Sequence, residues 1–159
     1  MPARELRFHS LDDLRSELNR LHSGGYSQTG KWSLAQVCSH LECWMRFPMD
    51  GFPRPPISIA IFMKLMKVTM GRGMFRKTLE SGKMKGGLPT APETVFRIEN
   101  VADQESVDRL METIHRLERH TGPIHDSPLF GAMSKEECVK LQLIHCAHHM
   151  GFLVPEKAE

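Results

Sequence analysis

Apolar residues along the chain recur mostly at spacings of three and four, which predicts helices and very little strand. Leu11, Leu14, Leu18 and Leu21 form the first such stripe. Ser10 caps that helix, and Gly24-Gly25 stop it after about His22. A second helix starts at Ser33, where Ser33 and Gln36 make the capping-box pattern, and runs to about Phe47. Pro48, Pro53, Pro55 and Pro56 then force a loop. The stretch "ISIAIFMKLMKVTM", residues 57 to 70, reads as a largely buried third helix with a short extension through Leu79. "GGLPTAPE" is a further loop. Val107, Leu110, Met111, Ile114 and Leu117 mark a helix over Asp103 to Arg119. "TGPIHDSPLFGAM" breaks the chain again, and Ser134 with Glu137 repeats the capping box to open a last helix through about Leu153. "TVFRIE" at 94 to 99 is β-like in composition but has no evident partner strand. The expected architecture is all-α: a four-helix bundle with long connecting loops, forming one domain over residues 1–159.

At 159 residues and 40% hydrophobic content, such a domain can bury a real core without help from disulfides or metals. A bound metal would therefore be functional and not a structural staple. The first residues are charged throughout, and no apolar run approaches the ~20 residues of a membrane span. A cytoplasmic protein with no membrane span is the expectation. Cys38, Cys43, Cys138 and Cys146 include no C-x-x-C pair and read as buried or free thiols.

Candidate chemistry concentrates in "LIHCAHHMGFL", residues 143 to 153. Residues four apart on a helix differ by about 40° and rise about 6 Å, so His145 and His149 project from adjacent turns of one face. His148 points about 100° away from His149. Neutral imidazole is a good ligand for a borderline divalent ion, but two ligands leave the sphere incomplete. "KWSLAQVCSHLECWMRF" offers a third in His40, which shares an apolar face with Val37, Cys43, Trp44 and Phe47. A lone histidine on such a face is ordinarily a hydrogen-bonded core residue. Polar rings from two helices, however, are costly to bury unless they share a partner, and a metal satisfies all three. Cys43, one turn from His40, is the rival soft ligand. Glu42 faces away and is expected to be solvated.

Trp32 followed by "SLAQVCSHL", and a last helix carrying His-x-x-His-His, resemble the DinB/YfiT-like superfamily of metal-dependent enzymes. "SPLFGAMSKEEC" leading into "LQLIHCAHH" is similar to an uncharacterised bacterial branch of it. The resemblance spans nearly the whole chain and is strongest at 31 to 47 and 126 to 153. It implies an up-down-down-up bundle with a three-histidine divalent-metal site, whose ligands fall on His40, His145 and His149. Relatives often continue as His-His-Arg-Gly-Gln. Here Met150 and Phe152 replace the Arg and Gln while Gly151 is retained, so a substrate role for those two positions does not transfer. Cys138 stands where this branch usually has an aromatic residue. Superfamily relatives include thiol-dependent transferases and isomerases, so the resemblance implies a hydrolase or a thiol transferase acting on a small molecule. The implied cofactors are a divalent ion, zinc or nickel, and a low-molecular-weight thiol. A non-catalytic metal-binding or stress-response protein is the alternative, and an interaction bundle without metal is a third.

Charge adds one feature. Net charge is only +2, yet Lys64 to Lys85 hold seven basic residues against Glu80, leaving the remainder at −4. Interleaved with Ile61, Phe62, Met66 and Met70, this segment reads as a core helix with solvated lysines, as an electropositive rim for an anionic small molecule, or as an amphipathic lipid surface. Nucleic acid is not an expected partner, since no reading module is present and aromatics are sparse. The sequence specifies neither the substrate nor whether a second copy of the chain is a partner. Tyr26 and the acidic "LDD" at 11 to 13 read as surface or capping features.

Overall fold

The computed structural model describes residues 3–84 and 102–156. These are mostly helical, with one small antiparallel sheet, in line with the all-α expectation. In order they form α1 (Leu11–Gly24), β1 (Tyr26–Gln28), α2 (Leu34–Asp50), α3 (Ile57–Met66), a π-helical turn (Lys67–Gly71), α4 (Arg72–Ser81), α5 (Asp103–Arg119), α6 (Lys135–Met150) and β2 (Leu153–Pro155). "GGLPTAPE" and "TVFRIE" lie outside the described residues.

Three of these helices begin in the same way. Ser10, Ser33 and Ser134 each accept from the backbone N–H three residues on, while Asp13, Gln36 and Glu137 return a side-chain acceptor to the cap. Each box satisfies two backbone donors that the first helical turn would leave orphaned. The α2 start is reinforced from outside: Tyr26 OH accepts from Leu34 N at 2.9 Å and donates to Asp103 at 3.1 Å, and Asp103 also accepts from Ala35 N at 3.0 Å. Tyr26 is thus a capping residue. The Asp103 carboxylate also complements the positive end of the α2 dipole.

One core joins α1, α2, α5 and α6. Leu18 from α1, Leu41 and Met45 from α2, Leu110 and Ile114 from α5, and Cys146 and Met150 from α6 belong to a single buried cluster. The four cysteines are buried and free. The sheet, pairing Tyr26 with Pro155 and Gln28 with Leu153, clips the segment after α1 to the one after α6. Strands of three residues are too short for an alternating pattern to announce them.

Three helices differ from expectation. The last, expected through about Leu153, ends at Met150, and Leu153 opens β2. Helix α2 continues through Pro48 to Asp50, where a loop was predicted. A proline near a helix end forfeits one hydrogen bond, here to the carbonyl of Trp44, without ending the helix if that carbonyl finds another donor. The third helix was expected to be largely buried, yet no residue of α3 is buried. The anchored part is α4, through Phe75, which is fully buried and packs on Phe130 with ring centroids 5.6 Å apart. The π-helical turn lets the 127–131 loop approach the backbone closely: a Cβ on Gly71 would stand 2.1 Å from the Leu129 carbonyl. Only glycine fits there.

Candidate metal centre

His40 lies two turns into α2, on the face turned toward α6, and is almost completely buried. His145 and His149 lie on adjacent turns of α6 and are partly buried. The C-terminal end of α6, which carries them, is pinned on two sides. Arg4 N donates to Gly151 O at 2.7 Å, and both Thr29 N and its hydroxyl donate to Phe152 O, at 2.8 and 3.1 Å. A side chain at Gly151 would meet the Arg4 carbonyl at 2.7 Å, so close backbone packing is what requires glycine there. Phe152 packs against Gly30 and the His148 ring.

These restraints bring the rings together. His40 Nε2 and His145 Nε2 are 3.3 Å apart, and ring centroids are separated by 4.6 Å for His40–His149 and 4.7 Å for His145–His149. One ring nitrogen from each of the three lies within 4.8 Å of the other two. Nitrogens held about 2.1 Å from one tetrahedral ion stand about 3.4 Å apart, so the His40–His145 separation already suits a shared divalent ion. The protonation states suit it as well. Burial pushes His145 well below the usual imidazole range, and the neighbouring His149, His40 and His148 push the same way. Burial, then His40 and His148, bring His149 down to about 3. Both rings are therefore neutral at pH 7, the form that ligates.

The other candidates fall outside this cluster. Cys43 is buried, with its sulfur toward Glu42 and 3.9 Å from the Arg46 guanidinium, and burial raises its pKa. Glu42 pairs with Arg46 at 2.9 Å. His148 turns away to line a cleft with Leu6, Ile144 and Phe152.

Three further residues shape the site, of which the sequence marked Trp32 only through the resemblance, Trp44 only as a member of the His40 face, and Gln142 not at all. Trp32 stacks on His149, with centroids 5.4 Å apart and planes 6° from parallel, and sits 5.0 Å from His40. Trp44 meets His145 edge-on at 6.0 Å. Gln142, one turn before His145, donates from its amide to Trp44 O at 3.0 Å. That is the carbonyl that Pro48 cannot serve, so the proline opens an acceptor on α2 that α6 fills. The Trp44 indole N–H and the Gln142 amide oxygen are both buried and have no partner among the described residues. A buried donor without a partner, on a ring that meets His145, fits a site that takes a polar occupant.

Replacing Gln142 with Leu should strand the Trp44 carbonyl and lower stability by about 1–3 kcal/mol, seen as a drop in Tm. Adding Pro48→Ala supplies an N–H for that carbonyl and should recover part of the loss. Equal melting of the single and double variants would show that the inter-helix bond does not matter.

A family model described as "Protein of unknown function (DUF1569)" matches residues 1–156. No curated protein and no solved structure matches the chain.

Proposed function

We propose, for a chain that belongs to the DUF1569 family, a divalent-metal-dependent enzyme of the DinB/YfiT-like kind, a hydrolase or thiol transferase acting on a small molecule. In this reading α1, α2, α5 and α6 make the up-down-down-up bundle, and His40, His145 and His149 hold zinc or nickel near one end of it. The observation that carries it is the convergence of three imidazole nitrogens from two helices within 4.8 Å, two of the rings held neutral by burial.

A bound divalent ion would supply Lewis-acid activation of water or of a thiol, giving a nucleophile at neutral pH. The chain's own residues do the rest. Trp32, stacked on His149, fixes that ring's plane and excludes water from one side of the cluster. The Trp44 N–H offers a donor and the Gln142 carbonyl an acceptor to a polar ligand. No cysteine belongs to the histidine cluster and all four are buried, so a transferase would take its thiol from solution.

Trp32 also favours a second reading, a closed site that binds metal without turnover, because its ring covers His149. Cobalt(II)-loaded protein distinguishes the two. A catalytic site admits small ligands, so azide or a small thiol should change the ligand-field spectrum, and thiols should change it most for a transferase. A spectrum indifferent to every small ligand would contradict the enzyme reading.

A further inference from the structure

Every large apolar side chain that is strongly exposed among the described residues lies between Ile57 and Met70. Surface helices normally turn polar side chains outward and bury an apolar face, but α3 leaves its apolar side chains exposed. Ile57, Ile61, Leu65 and Val68 are 81%, 66%, 60% and 78% exposed and follow one another at spacings of four, four and three, so they form one solvent-facing stripe. Apart from the π-helical turn that follows it, α3 has only marginal contact with the other described elements. A contiguous apolar patch of this kind is often functional and points to an interaction surface.

Charge identifies the occupant. Basic residues flank the stripe along the chain, and Arg54, Lys64, Arg76 and Lys77 are exposed without an ion-pair partner among the described residues. Glu80 is the sole acid between residues 54 and 83. A second copy docked symmetrically would bring these like charges together. An anionic bilayer does not meet that objection, because it neutralises the cations and accepts apolar side chains without shape complementarity. No described helix is long and apolar enough to cross a membrane, so contact would lie in the interface plane.

We propose that α3 and the π-helical turn form a docking surface for an anionic lipid bilayer, with the aliphatic stripe and Phe62 entering the headgroup boundary and Lys64, Arg76 and Lys77 contacting lipid phosphates. This is independent of the metal reading, since the surface shares no residue with the histidine cluster.

The test is co-sedimentation of the full chain with vesicles of phosphatidylcholine alone or mixed equally with phosphatidylglycerol. The chain should bind the mixed vesicles, more weakly as salt rises, and leave the neutral ones in suspension. Ile61→Glu with Val68→Glu should abolish binding at unchanged Tm, because both positions are exposed. Arg76→Ala with Lys77→Ala should lower partitioning on the order of 20- to 30-fold. The emission of a Phe62→Trp variant should shift to the blue on the mixed vesicles, beyond any change in the parent. Equal binding to both vesicle types, or none to either, would overturn the proposal. So would a stable dimer that Ile61→Glu dissociates and vesicles leave intact, which would assign the stripe to a second copy.

Discussion

His40→Ala, His145→Ala and His149→Ala should each weaken divalent-metal binding by more than the 10- to 100-fold typical of losing an outer-shell partner, while His148→Ala should leave it within a few-fold of the parent. The reason is geometric. Removing any one of three converging nitrogens leaves two, and two imidazoles bind a divalent ion far less tightly than three. His148 contributes no nitrogen to the cluster. Titration of the metal-free variants with zinc, followed by calorimetry, reads the difference directly. His40→Ala is the most informative because it is the single contribution from α2: undiminished affinity there would dissolve the two-helix site. The same titration on Trp32→Ala separates ligation from ring positioning, since loss of the stacked indole should cost within the outer-shell range and leave stoichiometry intact.

How far these residues could be read in advance follows from what helical periodicity encodes. The i,i+4 relation of His145 and His149, and the apolar face around His40, are properties of single helices, and so the cluster was visible before any fold was known. Gln142 was not visible, because its partner is a carbonyl that becomes available only through Pro48 on another helix. Trp44 reads as one more member of an apolar face, and the stacking of Trp32 on His149 emerges only when the positions of α2 and α6 relative to one another are given. The exposure of α3 was the opposite case: Ile, Met and Phe at these spacings describe a buried helix equally well, and composition alone does not tell whether another element covers it. Likewise, three-residue strands at 26–28 and 153–155 are defined by each other and not by any local pattern.

The metal-free protein should lose stability as pH falls from 7 toward 5, and bound metal should offset that loss. His149 has a folded pKa of about 3, against about 6.5 in an unfolded chain. Between those values the unfolded state takes up a proton that the folded state refuses. Stability is therefore full at pH 7 and declines below about 6.5. For His149 alone the loss reaches about 2 kcal/mol at pH 5, and His145, shifted in the same direction, adds to it. Because both rings are already neutral in the folded protein, protons compete weakly for them. Metal affinity should accordingly change little over this interval, and saturation to about 100 times Kd should restore about 2.7 kcal/mol. Urea melts of metal-free and metal-loaded protein at both pH values check this, with metal-free His149→Gln expected to show a shallower pH dependence. A metal-free protein equally stable at pH 7 and pH 5 would mean that the rings are not buried as described.

Whether His40, His145 and His149 form one divalent-metal site is decided by elemental analysis of the protein purified without an affinity tag. About one zinc or nickel ion per chain is expected, with a His40→Ala/His145→Ala/His149→Ala variant that folds but carries none. Metal-free parent protein that stays empty after incubation with both ions, or a triple variant that keeps full occupancy, would contradict it.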